Sequence, residues 1–175
     1  MKINNGVYII YNDGSYKKFT KRTSIKNAKL VGIVDNEHSF AVSTKNLEIN
    51  RSERIILYQE NESITKNIRT PICDAINEWN YVGFTNRIKK VNPSITLKKN
   101  EYIPTISALI TMYHYKSKGL DTALELIGEP LFGIYWSCIE LSDCRAWALY
   151  WNDGRIYVNT KTNDYYVRTI HKWKP

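Results

Sequence analysis

The sequence predicts an α+β fold, in which strands at both ends of the chain flank a helical middle. The first 40 residues and residues 131–175 alternate aromatic or β-branched side chains with polar ones, as half-buried strands do. Residues 71–128 instead carry apolar side chains at helical spacing. With 175 residues, 43% of them hydrophobic, the chain can bury its own core. We therefore expect one domain, 1–175, made of N-terminal hairpins and a loop (1–70), a helical middle (71–128) and C-terminal strands (131–175).

Tight turns between alternating segments predict three hairpin corners. Asn12-Asp13-Gly14 stands between two strand-like segments, and glycine accepts the positive φ that such turns need. Asp35-Asn36-Glu37 predicts a second corner, and Asn152-Asp153-Gly154 repeats the first triplet near the end of the chain. A last strand is predicted within residues 163–173, so the two ends are expected to meet in one sheet. Residues 43–70 are polar and carry no clear pattern.

Three helices are predicted in the middle of the chain. The first begins at Pro71, which suits an initial helical turn, and extends to about residue 80. The second follows Pro104, is capped by Thr105 and ends at Gly119. The third is short and closes at Gly128.

Charge and cysteine content restrict the class of protein. The formal net charge of +8 is scattered and forms no dense run, which is typical of a solvated mixed surface and makes nucleic acid an unfavoured partner. No apolar run is long enough for membrane insertion, and no secretory signal peptide is predicted. Three cysteines do not form a disulfide framework, which favours folding in a reducing cytosol.

The triplet Trp151-Asn152-Asp153 is also the one that calcium-dependent lectins use to hold a metal ion. Calcium takes about six to eight oxygen ligands, so the triplet needs further carboxylates and carbonyls. The usual companion, Glu-Pro-Asn or Gln-Pro-Asp, is replaced here by Glu129-Pro130-Leu131, with an apolar side chain at a ligand position. We therefore expect no metal, and assign geometric turn roles to Asn12, Asp13, Gly14, Asn152, Asp153 and Gly154.

The second half of the chain contains a set of short blocks: Tyr102-Ile103-Pro104-Thr105, Tyr135-Trp136-Ser137-Cys138-Ile139-Glu140, Ala146-Trp147, Gly154 and Val167-Arg168. Together these blocks resemble the Lcl C-terminal domain family of gut bacteria and their phages. The resemblance is firm from about residue 101 to 173; Cys138 replaces the usual serine, and Ala108-Leu109 replaces a Glu-Leu pair. It implies a C-type-lectin-like fold: a twisted antiparallel sheet with two to three helices and adjacent N- and C-terminal strands. Members of this family have no fixed chemistry, so the fold alone does not assign a function.

Four side chains are candidates for ligand binding: Trp136, Trp151, Tyr165 and Arg168. An exposed indole can lie on a sugar ring, although a tryptophan in the Trp136 motif is more often part of the core. Arg168 offers a planar fork of donors, which suits either an anionic ligand or a structural bond to backbone or to a carboxylate such as Glu140.

The sequence gives little support to catalysis. Cys138 and Cys144 suggest one enzymatic alternative, because formylglycine-generating enzymes are similar in fold and bind copper through a nearby cysteine pair. This chain is shorter and lacks most of their surrounding sequence. The three histidines are scattered, and no phosphate loop, dinucleotide motif or nucleophile elbow is present. We expect no enzyme activity, no catalytic residues and no cofactor.

A lectin-like module without an export signal is most simply explained by a virus particle assembled in the host cytoplasm. We therefore expect a structural or adhesive protein of a tailed bacteriophage virion: a head fibre, a capsid decoration or a tail-associated subunit. Its partners would be other virion proteins, further copies of itself as a homo-oligomer, or a host-surface glycan. The alternative is a secreted or surface carbohydrate-binding module of a bacterium.

Overall fold

The α+β class is confirmed by a computed structural model, which describes residues 3–36, 38–47, 72–91, 95–142 and 144–175. Its elements, in chain order, are β1 (Gly6–Tyr11), β2 (Tyr16–Lys18), β3 (Ala28–Asp35), β4 (His38–Val42), α1 (Ile72–Ala75), α2 (Tyr81–Val91), β5 (Glu101–Tyr102), α3 (Ile106–His114), α4 (Asp121–Ile127), β6 (Ile134–Glu140), β7 (Arg145–Tyr150), β8 (Ile156–Thr160) and β9 (Ile170–Lys172). The strands form two sheets, one of six strands and one of three.

The six-stranded sheet has the order β2-β1-β3-β4-β9-β5, and each neighbouring pair is antiparallel. Both predicted N-terminal hairpins are confirmed. In the first, the Gly14 amide donates to the Tyr11 carbonyl at 3.0 Å. In the second, Asp35 pairs directly with His38 across the corner; Glu37 lies outside the described residues, as does most of the segment 43–70.

The two ends of the chain share this sheet, as predicted, but their strands are not neighbours. The hairpin of β3 and β4 lies between β1 and β9, because β3 pairs with β1 on one side and with β4 on the other. The expectation of adjacent terminal strands is therefore wrong. The ends still make contact on one face of the sheet: the Trp173 ring lies over Gly32, where an added Cβ would be 2.4 Å from the indole, and its centroid is 5.8 Å from that of Tyr8.

The three-stranded sheet has the order β6-β7-β8 and contains the predicted C-terminal hairpin. Residues 151–155 connect β7 to β8. Only Ile170–Lys172 of the predicted last strand joins the large sheet. Upstream of it, Tyr166 makes a single parallel bridge to Tyr135 of β6, and the Trp136 amide donates to the Tyr166 carbonyl at 2.9 Å.

The first predicted helix differs from the structure. Helix α1 covers four residues, Ile72–Ala75, and a longer helix, α2, begins only at Tyr81. Pro71 lies outside the described residues. Asn80 explains the later start, because its side-chain oxygen accepts a hydrogen bond from the Gly83 amide at 3.0 Å, as an N-cap does. Position 83 inside the helix suits glycine, because a Cβ there would lie 2.6 Å from the Asn80 side-chain amide.

The second and third predicted helices correspond to α3 and α4. The Thr105 cap is confirmed: its hydroxyl accepts from the Ala108 amide at 3.2 Å. Helix α3 ends at His114, earlier than predicted, because the chain widens into a single π-type turn in which the Leu120 amide donates to the Tyr115 carbonyl. Gly119 breaks the helical path in this turn with φ +114°, and α4 then ends against Gly128.

A shared apolar core joins the two sheets to the helices. Helix α3 contacts β6 and β7, α2 contacts β5 and β6, and α4 contacts β3. Fully buried side chains from all these layers form one cluster, including Ile33, Phe40, Leu109, Met112, Trp136 and Leu149. Within the described part of the chain, no helix combines the length and apolar character needed to cross a bilayer.

Candidate binding surface

Two of the predicted ligand residues, Trp136 and Trp151, are core residues. Their side chains are 0% and 1% exposed. The Trp136 ring stacks on Tyr165 at 4.7 Å between centroids, and the Trp151 indole donates to Asp121 at 3.1 Å. Neither ring has a face open to a sugar, so the interpretation of either as a stacking platform is wrong and the core role is the one observed. Tyr165 is itself partly buried against this core.

Arg168 is fully buried and holds backbone in place. Its guanidinium donates to the Ser43 carbonyl at 3.1 Å and to the Glu129 carbonyl at 3.0 Å. Burial lowers the pKa of Arg168. The structural alternative is therefore the observed one, with backbone as the partner; Glu140 instead forms a buried ion pair with Lys161.

The C-terminal Asn-Asp-Gly corner has the geometry of a turn. Both carboxylate oxygens of Asp153 are used by Arg155: the backbone amide donates to one at 3.0 Å and the side-chain Nε donates to the other at 2.6 Å. These hydrogen bonds also lower the pKa of Asp153. Asn152 donates to the Tyr150 hydroxyl at 2.9 Å, and Gly154 adopts φ +75°. Asp153 therefore closes the turn through its neighbour.

The N-terminal corner is built in the same way. Asp13 accepts from the Ser15 amide at 2.9 Å and from the Ser15 hydroxyl at 2.7 Å, and these bonds lower its pKa. Gly14 adopts φ +83°, and the Asn12 amide donates to the carbonyl of Asn27. The two triplets thus serve the same purpose in two different sheets.

The cysteine pair behind the enzymatic alternative is split between two environments. Cys138 is buried in β6, and burial raises the pKa of its thiol well above the ordinary value. Cys144 is exposed. Because a metal-binding cysteine must lose its proton, the environment of Cys138 opposes a copper-binding role.

A serine–histidine contact on the large sheet was not predicted from the sequence. The Ser43 hydroxyl lies 2.9 Å from the His171 Nε2, the distance expected of a nucleophile and its base. The same hydroxyl also lies 2.6 Å from the Thr169 hydroxyl and 3.4 Å from a Glu101 oxygen. Burial lowers the pKa of His171. These shared bonds connect the end of β4 to β5 and β9, and they leave the hydroxyl little freedom to attack a substrate.

An open cleft lies where the start of β4, the end of β9 and the start of α2 meet. We call it the aromatic cleft. Its volume is about 360 Å³, within the usual range for small-molecule sites. It is lined by His38, Ser39, Phe40, Trp79, Tyr81, Val82, Lys172, Trp173 and Lys174.

Stacked rings form the floor of the aromatic cleft. Trp79 and His38 are parallel within 7°, with ring centroids 3.7 Å apart, and both side chains are partly exposed. Trp79 also packs on Phe40 at 6.3 Å, which anchors the pair to the buried core. On the opposite face of the sheet, the Ser39 hydroxyl donates to the Trp173 carbonyl at 2.9 Å and fixes the end of the chain.

The lining of the aromatic cleft is basic. Lys172 and Lys174 are exposed, and the described residues of the lining include no aspartate or glutamate. Two carboxylates that flank the lining residues in sequence, those of Asp35 and Glu78, have other partners. Asp35 accepts from the Tyr115 hydroxyl at 3.2 Å, and Glu78 accepts from the Asn80 amide at 2.6 Å.

Sequence reasoning missed this cleft because its members come from three distant segments. The available signals were the high aromatic content, 13 tyrosines and 5 tryptophans, and the basic balance. The helix predicted from Pro71 to about residue 80 would include Trp79, whereas Trp79 lies in the connection between α1 and α2.

Comparisons with known proteins identify a structural neighbour but no family. No family model matches the sequence, and no curated protein does either. A crystal structure of a fimbrial protein from Bacteroides ovatus ATCC 8483 matches with a TM-score of 0.51 and 15% sequence identity, over 96% of this chain and 48% of that one. The two share a fold. This chain spans about half the length of that structure, and at this identity the likeness extends to architecture alone.

Proposed function

We propose that this chain is a non-enzymatic structural or adhesive subunit, which acts through contact with neighbouring proteins or with a surface. The observation that carries the proposal is the distribution of its aromatic residues. The motif tryptophans Trp136 and Trp151 stabilise the core, whereas His38 and Trp79 form a partly exposed, basic recess at its surface. Aromatic rings beside cations are typical of contact surfaces.

Within this proposal the fold is C-type-lectin-like. Three features support it: β4 and β9 pair antiparallel, α2 and α3 lie between them in the chain, and a separate three-stranded sheet carries the Asn152-Asp153-Gly154 corner. Strands β3, β1 and β2 extend the β4–β9 pair on one side and β5 extends it on the other, which gives the six-stranded sheet.

The assembly we propose is the particle of a tailed bacteriophage, in which the chain is a head fibre, a capsid decoration or a tail-associated subunit. Its partners are other virion proteins or further copies of itself. A bacterial surface module is the second candidate, and the likeness to a fimbrial protein favours it, because that protein's name places it in a surface fibre.

Fractionation tests the proposal. Antibodies against the purified chain would be applied to density-purified phage particles, to sheared cell-surface fibres and to the soluble remainder of the same culture. Enrichment in particles at a fixed ratio to the capsid protein supports the virion role, and enrichment in the fibre fraction supports the second candidate. Recovery only as a free soluble monomer contradicts both.

A glycan array with and without calcium gives an independent check on the lectin-like surface. The occupied oxygens of Asp153 predict that any binding is unchanged by a calcium chelator. Strong calcium-dependent binding that is lost in Asp153→Ala would contradict the turn role given to this corner.

A further inference from the structure

The aromatic cleft combines a partly exposed ring stack with two exposed lysines. The C–H groups of a pyranose ring carry a partial positive charge and pack on the negative face of an aromatic ring. The Trp79–His38 stack places aromatic surface at this cleft, and both residues are partly exposed. Phe40 also packs on Trp79 from the core, which reduces the side-chain order that has to be gained on binding.

The charges around the rings select the kind of sugar. Lys172 is paired in register with Phe40, which brings it to the same face of the sheet as the rings. Lys174, two residues later, also lines the cleft. Because no described residue of the lining is an aspartate or glutamate, the two ammonium groups face no lining carboxylate in that part of the chain. An ammonium group binds a carboxylate or sulfate by charge-assisted hydrogen bonds.

Sheet topology argues against an acidic peptide as the occupant. Extended peptides bind most readily by adding a strand to an open sheet edge. Strand β4 lies between β3 and β9, and β9 lies between β4 and β5, so both strands of the cleft are internal to the sheet. The carbonyl of Trp173 is also already used by Ser39.

We propose that the aromatic cleft binds an acidic saccharide, with its pyranose ring on the Trp79–His38 pair and its carboxylate or sulfate between Lys172 and Lys174. This inference rests on the proposed function, since it names the surface ligand of an adhesive subunit. The site is separate from the Asn152-Asp153-Gly154 corner and needs no metal ion.

The test is a calorimetric titration of the purified chain with four probes: trigalacturonic acid, 3′-sialyllactose, neutral galactotriose and hexaglutamate. We expect at least one of the two acidic saccharides to bind, and galactotriose to bind about tenfold more weakly or not at all, because two exposed lysine contacts together contribute about that factor. Binding of the acidic saccharide should weaken as sodium chloride is raised.

Variants locate the site. Trp79→Ala and the double variant Lys172→Gln/Lys174→Gln should each weaken acidic-saccharide binding about tenfold or more. The matched controls are Phe132→Ala, at an aromatic side chain that is 49% exposed, and Lys89→Gln/Lys90→Gln, at two exposed lysines of α2. Both controls should bind as the unaltered chain does. The lysine variants change only exposed side chains, so they test the site even if Trp79→Ala destabilises the fold.

Three results would overturn the inference: no binding of either acidic saccharide, equal binding of galactotriose, or hexaglutamate binding that is as tight and is lost in the same variants. The last would assign the cleft to an acidic peptide. Failure here is distinct from failure of the proposed function. A chain that enriches in particles or fibres but binds no saccharide retains its structural role, whereas one that binds acidic saccharide but enters no assembly loses it.

Discussion

The two Asn-Asp-Gly corners form a natural matched pair for testing the turn role. Gly14 and Gly154 have nearly the same φ, +83° and +75°. They differ in the space around them: a Cβ at Gly14 would meet nothing within 4 Å, whereas one at Gly154 would lie 2.4 Å from the ring of Tyr113. Alanine at each position therefore separates the cost of the backbone conformation from the cost of the clash.

The expected magnitudes follow from this difference. A left-handed conformation costs a non-glycine residue about 1–2 kcal/mol, which applies to both variants. Forcing an extra carbon into a packed site adds about 1–3 kcal/mol, which applies only to Gly154→Ala. We therefore expect Gly14→Ala to lower the free energy of unfolding by about 1–2 kcal/mol, and Gly154→Ala by about 2–5 kcal/mol.

Urea unfolding followed by tryptophan emission measures the free energy of unfolding of both variants. The comparison is valid if the slope of that free energy against urea concentration is the same in each. Tyr113→Leu supplies the control as a double-mutant cycle with Gly154→Ala, and the coupling should equal the packing part, about 1–3 kcal/mol. Equal destabilisation by the two alanines would refute the reasoning. If calcium restored the free energy of unfolding of Gly154→Ala, the reasoning would also be refuted, because an ion would then organise the corner.

The remaining predictions concern buried polar groups. Lys161→Met should lower the free energy of unfolding in urea by about 3–5 kcal/mol, because it removes the cation that pairs with the buried Glu140 carboxylate. Adding Glu140→Gln should restore most of the lost stability, and a double variant as unstable as the single one would contradict this. Burial lowers the pKa of His171 in the folded chain. Its contribution to stability should therefore be complete above about pH 6.5, the ordinary pKa of histidine, and should be lost as the pH falls below that value, because His171 takes up a proton more readily in the unfolded chain. His171→Gln should flatten this dependence of the melting temperature on pH, and an unchanged slope would contradict it. The Cys138 thiol should react with a disulfide reagent far more slowly than the two exposed thiols, and three equal rates would contradict its burial.

Local signals predicted the elements that local chemistry determines. The hairpin corners at Gly14 and Gly154 were predictable because few residues other than glycine tolerate their φ. The α3 start was predictable because Thr105 both follows a proline and caps the helix. By contrast, a glycine is unfavourable inside a helix, and only the structure shows that Gly83 makes room for the Asn80 cap of α2.

Longer-range features were out of reach of the sequence. Which strands are neighbours depends on pairing across the whole chain, and the placement of β9 beside β4 rather than β1 has no local signature. The candidate ligand residues failed for a related reason: composition does not distinguish the buried ring of Trp136 from the partly exposed ring of Trp79. The aromatic cleft requires His38, Trp79 and the end of the chain to meet, which only the fold brings about.

The central claim is that recognition lies at the aromatic cleft while the motif tryptophans hold the core. The most direct measurement is a nitrogen-15 spectrum of the five tryptophan indole groups, assigned by single substitution, during titration with trigalacturonic acid and 3′-sialyllactose. The indole signal of Trp79 should shift in a saturable way, while those of Trp136 and Trp151 stay in place. Shifts confined to Trp136 or Trp151, or shifts that require calcium, would contradict the account.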